Sequence, residues 1–112
     1  MVSKALVAAS AKPMILSLLR RGESYGYRIL QMVRELSGGT LEWSEAMLYP
    51  VLHRMEKDGF SVSQWKLSEE GRMRKYYMLT DLGREEYEQE KEQWLNVHSA
   101  LIKLWKPVEA LE

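Results

Sequence analysis

The sequence predicts a mainly α-helical chain with one small β-hairpin, an α+β fold. Three observations carry this. Apolar residues recur at helical spacing in four stretches. Between the third and fourth, over residues 60–67 and 74–80, the pattern shifts to aromatic and β-branched residues at strand spacing. Capping residues and glycines punctuate the boundaries. The 112 residues suit one domain with a modest core, and help from a partner subunit fits so small a body.

Taken in order, AKPMILSLLR at 11–20 predicts a short helix, with Pro13 in its first turn and Ile15, Leu18 and Leu19 on one face. Ser24 reads as the N-cap of a second helix over about 25–37, whose stripe is Ile29, Leu30, Val33 and Leu36. Gly38 and Gly39 stop it. Gly26, in its first turn, lacks any phosphate-loop context and reads as a site of close backbone packing. SEAMLYPVLHRMEKDG at 44–59 predicts a third helix, capped by Ser44 and closed by Asp58 and Gly59, although Pro50 interrupts its stripe. FSVSQWKL and RKYYMLT form the hairpin with Gly71 near its tip, and Tyr77 and Leu79 share one face. Thr80 caps a last helix from about 81 to 105, ended by Pro107. Its apolar face is broader than the small body covers, so a second copy of the chain is its expected cover. Three helices, a hairpin and a long helix fit a winged helix-turn-helix over residues 1–80, with a dimerisation helix over 81–112, as one compact unit.

Composition narrows the function. With no cysteine there is no disulfide framework or thiolate metal site. The N-terminus lacks a run long enough for a signal core or a membrane span, so a cytoplasmic protein is expected. The formal net charge is zero, yet residues 1–80 hold 12 basic and 8 acidic residues while residues 81–112 hold 4 and 8. A basic front and an acidic tail cancel only on paper, because screening keeps electrostatic footprints local. The two histidines are far apart, and no nucleophile motif, metal-ligand cluster or phosphate loop is present. No enzymatic activity, metal or cofactor is expected.

LYPVLHRMEKDG at 48–59, GRMRKYYMLTDLGRE at 71–85 and YGYRIL at 25–30 together resemble the PadR family of winged helix-turn-helix transcriptional regulators. The single C-terminal helix is similar to the compact subgroup of that family. The resemblance implies a homodimer that binds double-stranded operator DNA, usually as a repressor. In some members a small aromatic or cationic compound releases the DNA. One departure stands out: Glu45, Ala46 and Met47 replace the small residue and hydroxyl residue that usually precede the Leu-Tyr-Pro.

In this reading the third helix enters the major groove. Arg54 is its strongest contact candidate, because its planar fork matches phosphate and guanine. His53 sits beside it, and Lys57 reaches the backbone at most. Ser44 is a cap and a possible phosphate donor, while Glu45 either accepts from cytosine or favours the helix dipole. Tyr49 either donates to a phosphate or is a half-buried core tyrosine, and Tyr25 either faces a phosphate or packs inward. Arg72, Arg74 and Lys75 place three cations on the wing, a pattern suited to phosphate. Trp94, Val97, His98, Leu101, Ile102 and Trp105 are the dimer candidates on the last helix, and a tryptophan pair across a two-fold axis can line a pocket for planar ligands. The rival reading is a winged-helix module that binds protein rather than DNA.

Overall fold

A computed structural model of the chain describes residues 1–107. The last five residues of the predicted 81–112 unit lie outside it. The order is α1 (Lys4–Arg20), β1 (Ser24–Tyr25), α2 (Gly26–Leu36), α3 (Glu45–Lys57), β2 (Ser61–Leu67), β3 (Met73–Leu79) and α4 (Asp81–Leu104). The strands form one antiparallel sheet in the order β1-β3-β2.

Two expectations are corrected. The first helix starts at Lys4 rather than near residue 11, with the Ser3 side chain accepting from the Leu6 N–H as its cap. Pro13 therefore lies inside the helix, where it removes the bond to the Ala9 carbonyl. Ala9 is exposed, so water can replace the missing donor. The second correction concerns Ser24. It does not cap α2; it pairs with Tyr77 in a two-residue third strand, and Tyr25, which pairs with Tyr76, occupies the N-cap position without a side-chain cap.

The core gathers Ile15, Leu16 and Leu19 of α1, Ile29 and Val33 of α2, Leu48, Leu52 and Met55 of α3, and Tyr77 and Leu79 of β3. Tyr77 and Leu79 thus share the inward face, as their alternation predicts. Leu41 and Trp43, in the connection after α2, close the far side. Ser44 caps α3 by accepting from the Met47 N–H, and Gly59 ends it in the left-handed region at φ +85°.

Thr80 does two jobs at the root of α4. Its hydroxyl accepts from the Gly83 N–H at 3.0 Å and donates to the Gly59 carbonyl at 2.6 Å. Gly83 is the only buried residue of α4. A methyl group there would overlap the Phe60 carbonyl oxygen, so the helix passes directly over that backbone. Lys12 of α1 forms an ion pair with Glu86 and lies over the Phe60 ring, and Arg20 lies over Tyr87. These contacts hold only the first turns. From Lys91 to Pro107 every residue is exposed, and the principal extents of 58 × 30 × 22 Å reflect this projecting helix. No helix among the described residues is long and apolar enough to cross a membrane.

Candidate nucleic-acid interface

Helix α3 divides cleanly into two faces. Leu48, Leu52 and Met55 are buried, while Glu45, Ala46, Tyr49, Pro50, His53, Arg54 and Lys57 form a continuous exposed stripe. Pro50 lies within that stripe. The carbonyl deprived of its helical partner belongs to Ala46, which is also exposed. The proline is tolerated because its cost falls on a solvated group, and the buried stripe stays continuous beneath it.

Tyr49 is packed at one end and exposed along its ring. It is 43% exposed, yet its hydroxyl end rests on Gly26, where a β-carbon would collide with the ring. Gly26 is therefore a packing glycine, and it lets α3 cross the start of α2 with the tyrosine between them. Replacing Gly26 by Ala is expected to swing the Tyr49 ring outward. Melting should change little, because the ring can move into solvent, whereas affinity for DNA should fall if Tyr49 touches it. Denaturation and binding titrations on the same preparation check both.

Arg54 is exposed and 3.4 Å from Asp58, an i,i+4 pair whose solvent screening leaves it weak. His53 and Lys57 are exposed beside it. Ser44 is occupied as a cap.

The wing cations are not a single cluster. Only Arg72 lies in the turn between β2 and β3, where its N–H bonds to Ser68 Oγ. Arg74 and Lys75 point to opposite faces of β3. Lys75 lies 5.6 Å over the Tyr77 ring. Arg74 lies 4.5 Å over Tyr25 and 5.7 Å over Tyr27, with its Nε buried and unpartnered among the described residues. Glu70 in the turn has its carboxyl held below the ordinary range by the Ser68 hydroxyl, then by its own backbone N–H, with smaller help from Arg74 and Arg72.

This outer sheet face holds a cluster that sequence reasoning missed. Tyr25 meets Tyr76 edge to face at 5.2 Å, Lys66 lies 4.7 Å over Tyr76, and Glu23 pairs with Lys66. Tyr25 thus packs on the sheet and supports Arg74. The signal is present in YGY and RKYY, but it becomes readable only when β1 is known to pair with β3. On the inner face Ser63 donates to Glu56 at 2.7 Å. The Tyr77 phenol nearby is raised above its usual 10.0 by burial first, then by Glu56 and Tyr49.

The dimer candidates share the exposed reach of α4. Trp94, Leu101 and Ile102 are partly uncovered, Val97 and His98 are exposed, and Trp105 is 69% exposed. Of these, Trp94 also lines an apolar groove of about 630 Å³ between α1, α2 and α4 that includes Met14, Val33, Leu36 and Leu95. No group of three residues able to hold a metal comes together among the described residues.

A helix-turn-helix followed by a wing, with a polar and cationic exposed surface, defines the winged helix-turn-helix class. The transcriptional regulator PadR-like family model matches residues 15–89, and the chain belongs to that family. A transcriptional regulator from Clostridium thermocellum is 31% identical and superposes with a TM-score of 0.83, covering 95% of this chain and 100% of its own. A PadR-like transcriptional regulator from Bacillus cereus is 29% identical, with a TM-score of 0.83 over 93% of this chain and 99% of its own. The negative transcriptional regulator PadR of Bacillus subtilis is 32% identical over 78% of this chain. The matched segment spans only 46% of that longer regulator.

Proposed function

We propose that this transcriptional regulator binds double-stranded DNA in a sequence-specific manner as a homodimer and represses the genes it controls. The observation that carries the reading is the unbroken exposed stripe of α3, which holds Tyr49, His53, Arg54 and Lys57. In such a dimer two α3 helices enter successive major grooves of a pseudo-palindrome, about one helical turn apart. Residues 1–80 form the DNA-binding body and 81–112 the dimerisation segment. Tyr49, His53 and Arg54 face base edges and phosphates, with Ser44 and Lys57 at the two ends of the helix. Tyr25 acts through Arg74, and Arg72, Arg74 and Lys75 engage the backbone.

The exposed half of α4 supports the second copy. A helix with this many large apolar residues in water is an interaction surface. Replacing Trp105 by Ala is expected to shift the dimer towards monomer; sedimentation at low protein concentration reads the change. A mutant that stays dimeric with unchanged melting places Trp105 outside the interface. The groove beside Trp94 is of ligand-binding size and apolar enough for a planar aromatic effector that releases the DNA.

The deciding experiment titrates the purified protein with the DNA upstream of its own coding sequence, against random DNA, at several salt concentrations. Preference for the upstream DNA with a salt slope of several units is expected. Absence of binding to either DNA at low salt overturns the reading and favours a protein-binding winged helix.

A further inference from the structure

A second cavity lies on the side of α2 that faces the wing turn. It measures about 540 Å³ and is bounded by the end of α1, by α2, by the sheet and by the turn between β2 and β3. The helical side contributes Arg21 and Arg28, and the turn contributes Glu69 and Glu70. None of these side chains joins an ion pair among the described residues. Charges of both signs thus line one space without pairing with each other. Glu23 also lines it, but its carboxylate is taken by Lys66.

Charge selects the occupant. A plain anion drawn to the arginines meets the carboxylates of the turn, and a plain cation drawn to the turn meets the arginines. Screening, with a length of roughly 8 Å in physiological salt, does not hide either set from a ligand in the same cavity. A zwitterion satisfies both. Planar aromatic compounds are poorly served: Tyr25 and Tyr76 line the cavity, but Arg74 already lies over the first ring and Lys66 over the second. Leu18 and Met32 offer apolar contact to an aliphatic side chain. The volume falls in the range of small-molecule sites and is roomier than a single amino acid needs.

We propose that this cavity binds a small zwitterion of dipeptide size, with its carboxylate on Arg21 and Arg28 and its ammonium on Glu69. The guanidinium fork matches a carboxylate in geometry as well as charge. Glu69 is the main acid because the Ser68 hydroxyl already engages Glu70. A bound zwitterion ties α2 to the wing turn, and so fixes the turn relative to the helix that precedes α3. Leu18 and Arg21 line both this cavity and the groove beside Trp94, but the chemistry differs: that groove is apolar, and this one is charged. The site does not depend on the chain binding DNA.

The test titrates the full chain with leucyl-leucine and follows calorimetry and amide NMR shifts. Two blocked probes run beside it: N-acetyl-leucyl-leucine, which lacks the ammonium, and leucyl-leucine amide, which lacks the carboxylate. Leucyl-leucine is expected to bind and to move the amides of residues 21–32 and 68–72. Each blocked probe should bind about tenfold more weakly, the scale of one lost charge-assisted hydrogen bond. Arg28→Ala should weaken leucyl-leucine about tenfold and the amide hardly at all. Glu69→Gln should weaken leucyl-leucine by a similar factor and the N-acetyl probe hardly at all. Both positions are exposed, so unchanged melting is expected, and a loss of folding would not give this crosswise pattern. Absence of leucyl-leucine binding in the millimolar range overturns the proposal. Equal affinity for the free and blocked probes overturns it too, because the charged lining then selects nothing. Shifts centred on Trp94 and Leu95 overturn it in favour of the apolar groove along α4.

Discussion

Replacing Arg72 and Arg74 together by Ala is expected to lower DNA affinity about 10²–10³-fold at physiological salt, with the salt slope falling by roughly one unit for each phosphate no longer neutralised. In a dimer the change removes two cations from each wing. The two arginines differ in kind. Arg72 sits in the turn and acts through charge alone, so Arg72→Lys should bind nearly as the wild type does. Arg74 is stacked on Tyr25 and Tyr27. Lysine retains the charge there but lacks the planar stack, so Arg74→Lys should keep the salt slope and still weaken binding. Titrations of the three variants over a range of salt concentrations separate charge from placement. Unchanged affinity and slope in the double variant would remove the wing from the interface.

Gly83→Ala is expected to destabilise the fold by about 3 kcal/mol, the upper end for overpacking, because the obstacle is backbone and cannot rotate away. For a domain of this size that lowers Tm on the order of 15 °C at fixed protein concentration. The clash is with the Phe60 carbonyl, which itself accepts from the Thr80 N–H at 3.1 Å. Relief therefore requires α4 to lift and the strand end to move with it. Gly71→Asn provides the contrast: that position has open space and a φ of +80°, which Asn tolerates, so melting should barely change. Thermal denaturation of both variants tests the pair, and an unperturbed Gly83→Ala would mean that α4 is not seated on Phe60.

The legible parts of the fold are those written in local chemistry. Ser44 and Thr80 act as the caps their sequence positions predict, and Gly59 ends α3 as expected. The alternation in RKYYMLT correctly places Tyr77 and Leu79 inward. The misreadings come where one residue has two local meanings. Pro13 suits a first turn, yet here it is carried inside a longer helix by an exposed Ala9 and a capping Ser3. Ser24 is a good N-cap by type, but its strand pairing with Tyr77 wins, and a two-residue strand has no periodicity to reveal it. The exposed stripe of α3 is legible because it follows from the helical period alone. The Arg74–Tyr25–Tyr27 stack is not, since it joins residues about fifty positions apart.

The projecting α4 also has a mechanical consequence. Its 24 residues make a rod of about 36 Å, clamped at Gly83 and exposed from Lys91 onward. A tilt of about 5° at the clamp displaces Trp105 by about 3 Å, close to the rise of one base pair of DNA. If two such rods join two heads, the angle at each root sets the distance between the heads. The absence of a β-carbon at Gly83 then has an effect far from its own surroundings, because it lets the rod seat directly on the Phe60 backbone and leaves the joint little play.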